Sequence, residues 1–185
     1  MSYKSLKACV DDLARNGHLV RIAEEVDPCL EMAEIQRRLY AAGGPAVLFE
    51  RVRGTAFPAV ANLFGTPERC QFLFRHTLER VRKILQIKAD PAAAIRHPLT
   101  FASAPFTAWK SLPKKVRGGA VLEHTASISD LPAIKSWPDD GGPFITLPQV
   151  YTEDPLQPKT LTSNLGMYRV QLSGNDYEND REVGL

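Results

Sequence analysis

The sequence predicts an α+β protein, in which an N-terminal α+β domain is followed by the start of an antiparallel, barrel-like β domain. Between residues 3 and 86, apolar side chains recur at helical spacing, and β-like runs separate the helical segments. From Ala120 onward the helical stripes stop, and short apolar runs alternate with Pro, Gly and Asp. The intervening residues 110–119 are basic and contain Pro113 and the pair Gly118-Gly119, which is typical of a linker.

These observations divide the chain into an N-terminal domain over residues 1–113, a linker over 114–119 and an incomplete antiparallel β domain over 120–185. The β domain has only about three predicted strands, which come from the apolar runs at 120–122, 144–151 and 159–172. Unpaired strands expose backbone hydrogen-bonding groups and favour association. We therefore expect this domain to be completed by further sequence or by another chain.

The N-terminal elements follow from apolar periodicity and from the residues at their ends. Asp27-Pro28 and Thr66-Pro67 both place a capping side chain before a proline, which suits the first position of a helix. The predicted helices cover residues 3–16, 28–42 and 67–86, with a further short helix after Asp90-Pro91. The predicted strands cover residues 18–23, 45–52 and 57–64. Later prolines are expected to interrupt the chain, at Pro98, Pro105 and Pro113.

Composition and charge exclude several classes of function. With 44% hydrophobic and 24% charged residues, the chain has the composition of an ordinary globular protein. A net charge of +2, spread along the chain, argues against nucleic acid binding. No apolar run is long enough for a transmembrane helix. The three cysteines are far apart and form no CxxC pair, which favours reduced thiols and a cytoplasmic location. Cys9 and Cys70 are expected to be buried.

The residues with the clearest chemistry lie in the strand-like run 162–171. Asn164 offers a carbonyl oxygen to a hard cation such as Mg²⁺ or Mn²⁺, and Arg169 offers a charged fork that binds a carboxylate or phosphate. Their odd spacing places the two side chains on opposite faces of a regular strand. We expect a β-bulge near Gly166 to bring them to the same side. A turn asparagine and a surface arginine are the alternative.

A second informative run covers residues 137–146. Gly141-Gly142-Pro143 permits a tight turn, and Asp139 and Asp140 can bond the backbone of that turn. A structural turn is the main interpretation, and contact with a cofactor or a bound ion is the alternative. Trp137 is expected in the core, with an aromatic stacking platform as the alternative.

Other candidates for chemistry are interpreted as structural or surface groups. Glu153 and Asp154 precede Pro155 in an expected solvated turn, and the acidic run 176–182 resembles a polar hairpin tip. None of the four histidines has a second histidine or a cysteine three or four residues away.

The motif Asn164-Leu165-Gly166-Met167-Tyr168-Arg169 resembles one found in the UbiD-type family of prenylated-FMN-dependent decarboxylases. The frame before it, Trp-Pro-x-Asp-Gly-Gly-Pro-Phe-Ile-Thr and then Tyr-Thr-Glu-Asp-Pro, is similar to the family as well. The resemblance implies that Asn164 ligates a divalent metal, usually Mn²⁺, with K⁺ as a further candidate. It implies that Met167, Tyr168 and Arg169 contact prenylated FMN, and that Arg169 is the catalytic arginine beside the substrate carboxylate. The β domain is then a split barrel of the FMN-binding kind.

The resemblance also implies an activity, namely the reversible nonoxidative decarboxylation of an aromatic or α,β-unsaturated carboxylic acid. A 3-polyprenyl-4-hydroxybenzoate is one candidate substrate. A homo-oligomer is implied, as is a flavin prenyltransferase that supplies the cofactor. In the family, a His and a Glu that follow the motif complete the metal shell. We therefore expect residues 1–185 to be the N-terminal part of such an enzyme, inactive alone and binding metal and cofactor weakly or not at all.

Two other functions remain open at this level. The first is a noncatalytic subunit or assembly module that completes a β domain with a partner chain. The second is a plain FMN-binding protein of the split-barrel type.

Overall fold

The structure, a computed structural model, describes residues 3–112, 116–159 and 162–185. Its mixture of helices and sheets confirms the predicted α+β class. Residues 113–115, which include the start of the predicted linker, lie outside the described residues. None of the helices in the described ranges has the length and apolar character needed to cross a bilayer.

A three-stranded sheet in the order β1-β2-β3 organises the N-terminal part. Helix α1 (Leu6–Arg15) precedes β1 (Leu19–Val26), and α2 (Glu31–Ala41) connects β1 to the parallel strand β2 (Ala46–Val52). The short strand β3 (Ala59–Ala61) then pairs with β2 in the antiparallel direction. The predicted strands are therefore present, although the first is longer than expected and the third is shorter.

The middle strand β2 packs on both faces, because its successive side chains alternate in direction. Ala46 packs with Leu13 of α1 in one buried cluster. Val47 and Phe49 pack with Met32 of α2 in the other. The side chains of Leu13, Val47 and Phe49 are fully buried. The core of the N-terminal part therefore has two layers, one on each side of β2.

A buried cation lies at one end of this core. Arg69 is 3% exposed and donates to the carbonyl oxygens of Leu63, Gly44 and Asn62, at 3.0, 2.9 and 2.7 Å. Burial lowers the pKa of its guanidinium. A Cβ at Gly65 would overlap the Asn62 side chain, so the backbone passes close to this cluster. One side chain thus satisfies three carbonyl groups from two segments of the chain, at Gly44 and at residues 62–63.

The third predicted helix is wrong as a single element. The structure has two helices there, α3 (Pro67–Phe74) and α4 (Leu78–Ala89). Arg75 follows α3, and its Nη1 donates to the carbonyl of Phe72 at 2.7 Å while its Nη2 donates to Asp12 of α1 at 2.6 Å. The ion pair between Arg75 and Asp12 thus lies at the break between the two helices. The apolar periodicity continues across this break, which is why the sequence predicted one helix.

At the start of the second predicted helix, Asp27 forms a turn instead of a helix cap. Its Oδ1 accepts a 2.7 Å hydrogen bond from the amide of Cys29, and α2 begins after this turn. The amide of Leu30 donates to the carbonyl of Lys135 at 2.9 Å, and the amide of Lys135 donates to the carbonyl of Pro28 at 3.1 Å. Lys135, from the C-terminal part of the chain, therefore packs against the segment before α2. Helical periodicity in the sequence does not predict such a contact.

The proline-rich region is helical. It contains α5 (Pro91–Arg96), α6 (Pro98–Phe101) and α7 (Ala104–Ser111), so the short helix predicted after Asp90 is confirmed. Pro98 and Pro105 lie in the first turns of α6 and α7. They therefore begin helices, where a missing N–H costs little. The predicted interruptions are present just before them, between Arg96 and Pro98 and between Phe101 and Ala104.

In the C-terminal part, residues 116–159 and 162–185 form two antiparallel strand pairs. Strand β4 (Phe144–Ile145) pairs with β7 (Val170–Gln171). Strand β5 (Gln149–Thr152) pairs with β6 (Asn164–Met167). The apolar run 120–122 forms a 3₁₀ turn, so the strand predicted there is wrong.

The acidic run 176–182 lies between Gln171 and Gly184, whose backbone groups pair in the antiparallel direction. This position agrees with the predicted hairpin tip. The two cysteines predicted to be buried, Cys9 and Cys70, are half-buried. Burial raises the pKa of the Cys9 thiol.

Asp12 is expected to contribute stability that is lost in acid. Its carboxylate accepts hydrogen bonds from the Tyr3 hydroxyl at 2.7 Å and from Arg75 at 2.6 Å, and these bonds lower its pKa from 3.8 to about 2. Because the folded-state pKa is depressed, this stability is present above about pH 4 and is lost as the pH falls towards 2. Asp12→Asn should therefore lower the free energy of unfolding by about 1 kcal/mol at neutral pH.

Thermal unfolding measured between about pH 2 and pH 7 tests this origin, since the difference between Asp12→Asn and wild type should close near pH 2. Asp11→Asn is the matched control, because Asp11 pairs with Lys7 at the surface and should change stability little. A difference for Asp12→Asn that persists unchanged at the acid end would contradict the proposed cause.

Candidate active site

The predicted motif spans the point where the chain passes from one strand pair to the other. Strand β6 pairs with β5 in a continuous register, with Gly166 opposite Val150. The predicted β-bulge at Gly166 is therefore wrong. The irregularity lies at Tyr168 and Arg169, after which the chain pairs with β4 as β7.

Gly166 has a different structural role from the predicted one. The ring of Tyr168 lies against it, and a Cβ at this position would overlap Cε2 of the ring. The Tyr168 hydroxyl accepts a 3.3 Å hydrogen bond from Nδ2 of Asn164. This bond orients the Asn164 amide. Its Oδ1, the atom suited to a cation, receives no hydrogen bond from the described residues.

Arg169 has its own set of partners. Its Nη1 donates to Oδ1 of Asp140 at 3.0 Å, and its Cζ lies 4.0 Å from the centre of the Phe144 ring. The Asp140 side chain is 8% exposed, and its Oδ2 accepts a 3.1 Å hydrogen bond from the amide of Trp137. An ion pair and an aromatic face therefore hold a guanidinium that is itself largely exposed. Its other N–H groups remain accessible to an anion.

Asn164 and Arg169 do not contact each other. Asn164 bonds to Tyr168 and Arg169 bonds to Asp140, so the two predicted site residues have different neighbours. Met167, which is 68% exposed, and Tyr168 lie at the surface and precede Arg169 in the chain. Exposed apolar side chains followed by a cation suit an aromatic ring system that carries an anionic group.

Asp140 and Phe144 were not predicted as partners of Arg169. Asp140 does bond the backbone of a turn, but that turn spans residues 137–140 and precedes the predicted Gly141-Gly142-Pro143 turn. The available signal was a carboxylate and an aromatic residue on either side of a Gly-Gly turn. Their partner became apparent only because β4 pairs with β7, which places Phe144 opposite Gln171.

Trp137 is a surface residue, so its predicted place in the core is wrong. Its side chain is 64% exposed. It lines a groove of about 520 Å³ beside α2, together with Leu30, Arg37 and Tyr40. The turn that holds Asp140 therefore has one exposed aromatic face.

The described residues supply only part of a metal site. They contain no group of three or more His, Cys, Asp or Glu side chains that could hold an ion. Asn164 offers one neutral oxygen, whereas a hard divalent cation takes about six oxygen ligands. A complete Mn²⁺ shell therefore does not fit these residues alone. Met167, Tyr168 and Arg169 do have the chemistry needed to contact a flavin ring and its phosphate.

Two family profiles together match most of the chain. The profile described as the 3-octaprenyl-4-hydroxybenzoate carboxy-lyase N-terminal domain (UbiD_N) matches residues 10–88. The profile described as the 3-octaprenyl-4-hydroxybenzoate carboxy-lyase Rift-related domain (UbiD) matches residues 90–183. The chain belongs to the UbiD family.

Relatives from Chlamydia species are longer than this chain. An uncharacterized protein of Chlamydia trachomatis is 39% identical over 172 residues, which cover 90% of this chain and 29% of that protein. A Chlamydia pneumoniae protein, named as one of the subunits of a 4-hydroxybenzoate decarboxylase, is 38% identical over 167 residues, which cover 83% of this chain and 26% of that protein. The chain thus spans less than a third of the length of these relatives.

Solved structures of UbiD-class enzymes share the fold. The enzyme HmfF of Pelotomaculum thermopropionicum in complex with FMN is 27% identical with a TM-score of 0.63, over 92% of this chain and 35% of that chain. An evolved dimeric form of HmfF in complex with prFMN is 25% identical with a TM-score of 0.63, over 93% and 36%. The closed form of vanillic acid decarboxylase from Sedimentibacter hydroxybenzoicus has a TM-score of 0.71 at 23% identity, over 100% and 37%, which shows the fold alone.

Proposed function

We propose that this chain carries the arginine and part of the flavin and metal contacts of a UbiD-type carboxy-lyase. The reaction is the reversible nonoxidative decarboxylation of an aromatic or α,β-unsaturated carboxylic acid with prenylated FMN. The observation that carries this proposal is Arg169, which is held by Asp140 and Phe144 with N–H groups accessible beside exposed Met167 and Tyr168. Family membership and the flavin-bound structures of HmfF support it.

The proposed role of Arg169 is to orient the substrate carboxylate. Its planar fork donates parallel hydrogen bonds to a carboxylate, which fixes the direction of the bond that breaks. Since a guanidinium keeps its charge throughout the working pH range, Arg169 stabilises the anionic substrate without itself moving a proton. The chemistry that a bound prenylated FMN supplies is an electron sink for the pair left as CO₂ departs.

The proposed role of Asn164 is to supply one ligand of a cation, Mn²⁺ with K⁺ as a further candidate. Its amide nitrogen is engaged by Tyr168, so Oδ1 is the atom available for ligation. The remaining ligands come from residues outside the described set, in the same gene product or in a partner chain. The described residues alone therefore supply too few oxygen ligands to bind a divalent cation tightly.

The substrate class within the family is an aromatic acid in our proposal. The name of the Chlamydia pneumoniae relative, which refers to 4-hydroxybenzoate decarboxylase, favours hydroxybenzoates, and a 3-polyprenyl-4-hydroxybenzoate remains a candidate. A flavin prenyltransferase is the proposed supplier of the cofactor, and a homo-oligomer is the proposed assembly.

The test is made on the full-length gene product, coexpressed with a flavin prenyltransferase and compared with Asn164→Ala. The wild type should purify with Mn²⁺ and a flavin absorbance and should release CO₂ from at least one hydroxybenzoate or cinnamate. Asn164→Ala should lose most of its metal and flavin, because a hard cation loses one of its oxygen ligands. Elemental analysis and absorbance spectra measure both.

Thr162→Ala is the matched control for this substitution, since it changes an exposed polar residue two positions before Asn164. It should retain wild-type metal and flavin content. A wild-type protein that purifies without flavin and turns over none of the acids would refute the proposed function. Unchanged metal content in Asn164→Ala would refute the role of Asn164 alone.

A further inference from the structure

Asp140 is the buried partner of the arginine that the proposed function uses. Its Oδ1 accepts from Arg169 Nη1 at 3.0 Å, and its Oδ2 accepts from the amide of Trp137 at 3.1 Å. Its side chain is 8% exposed. A carboxylate this buried is costly unless it is paired and hydrogen-bonded, and here both oxygens have donors. The carboxylate and the guanidinium therefore form one unit.

The position of this unit is set by the strand pairing around it. Phe144, whose ring lies under the guanidinium, begins β4, and Val170, which follows Arg169, begins β7. Ile145 pairs with Val170 in this sheet. The same ladder thus fixes the backbone next to Arg169 and the backbone at Phe144, four residues after Asp140.

We propose that Asp140 is a positioning residue for Arg169. Asp140 aligns the Arg169 guanidinium with the carboxylate of the substrate, and its negative charge weakens the attraction between Arg169 and the bound substrate before reaction. This inference rests on the proposed function. The negative charge of Asp140 offsets the positive charge of Arg169, so the pair attracts an anion less strongly than a lone arginine does. In return, Asp140 holds the Arg169 guanidinium in one orientation. Correct alignment of a group that contacts the reacting carboxylate raises the rate of reaction and does not strengthen binding.

Asp140→Asn is expected to lower kcat without weakening the binding of the acid. Asparagine is nearly the same size, and its one carbonyl oxygen can take the place of Oδ2 and accept from the amide of Trp137, so the turn is retained. Its amide then presents N–H groups to Arg169 and no longer holds it. We expect kcat to fall by about 10- to 100-fold, while KM for the acid and the dissociation constant for benzoate, a nonreacting aromatic carboxylate, stay the same or decrease.

The control lies in the adjacent residue. Asp139 is exposed, and Asp139→Asn removes the same charge one position away without touching Arg169. Asp139→Asn should leave kcat and benzoate binding at wild-type values. Asp140→Glu restores the charge with a longer side chain and should recover part of kcat. Melting temperature and flavin content, measured on all variants of the full-length gene product, should remain at wild-type values in Asp140→Asn.

Coupling between the two residues is the further test. In an Arg169→Lys background, which keeps a cation but loses the planar fork, Asp140→Asn should cost much less than it does in the wild type. Wild-type kcat in Asp140→Asn, or a full additive loss in the double variant, would overturn the inference. A rise in KM with unchanged kcat would also overturn it. If Arg169→Ala itself retains activity, the role that the proposed function assigns to Arg169 fails. If Arg169→Ala is inactive and Asp140→Asn is normal, only this inference fails.

Discussion

Arg169→Ala is expected to lower kcat/KM for decarboxylation by about 100- to 1,000-fold, the range seen when a preorganised donor to a reacting anion is removed. The alanine removes the guanidinium and leaves the buried carboxylate of Asp140 with only its bond to Trp137. Because Met167 and Tyr168 are unchanged, flavin should still bind. Steady-state kinetics with the best acid and the flavin absorbance of each variant measure the two effects separately.

Arg169→Lys and Arg181→Ala are the comparisons for this result. Lysine keeps the positive charge but cannot make two parallel hydrogen bonds, so an intermediate loss is expected. Arg181 is an exposed arginine whose pair with Glu178 lies three residues away in the acidic loop. Its removal should leave kcat/KM unchanged. Near-normal turnover in Arg169→Ala would refute the catalytic assignment.

Arg69→Met is expected to lower the free energy of unfolding of the N-terminal part by about 3 kcal/mol. Methionine keeps a long apolar stem but removes the donors from Arg69 to the carbonyl groups of Leu63, Gly44 and Asn62. The Gly44 carbonyl keeps a 3.2 Å bond from Nδ2 of Asn62, and the Asn62 carbonyl keeps a 3.3 Å bond from the amide of Gly65. Each buried carbonyl that loses its donor costs about 1–3 kcal/mol, and relief from burying the cation offsets part of the sum. Arg69→Lys should be intermediate, because an ammonium does not reproduce the geometry of the fork.

Native-state hydrogen exchange at the β2 amides of Val47 and Phe49 measures this change, since these residues form the centre of the core. Arg82→Met is the matched control, because Arg82 is an exposed arginine of α4 that pairs only with Glu79 among the described residues. It should change the exchange free energy by less than about 0.5 kcal/mol. Equal protection in Arg69→Met and wild type would show that the buried cation does not hold these segments together.

The helices and strands were predictable where local pattern and packing agree. The α1 stripe and the alternation along β2 follow from which residues must face the core, and Leu13, Val47 and Phe49 are fully buried accordingly. The predictions were wrong where a distant residue decides the local conformation. Arg75 lies in the break between α3 and α4 and donates to Asp12. Lys135 pairs with the chain at Cys29, before α2 begins.

The sequence proposed residues for the candidate site, but it did not predict their geometry. The order of Asn164, Gly166 and Arg169 resembles the motif of the family, and the profile matches show the family membership itself. The bulge at Gly166 was inferred from spacing within a single strand. The structure instead has two strands with different partners, and only such nonlocal pairing places Asp140 beside Arg169.

The sequence by itself therefore determined the α+β class and the family, and it singled out Asn164, Met167, Tyr168 and Arg169 as candidates for contact with metal, flavin and carboxylate. These properties depend on residue type, order and local periodicity. Only the tertiary structure decided which way those side chains point. The orientation of Asn164 depends on the Tyr168 ring lying against Gly166, and that of Arg169 depends on Asp140 and Phe144 across a strand pair. Such contacts between separate segments leave no periodic signal in the chain, because their energy arises only when the segments meet.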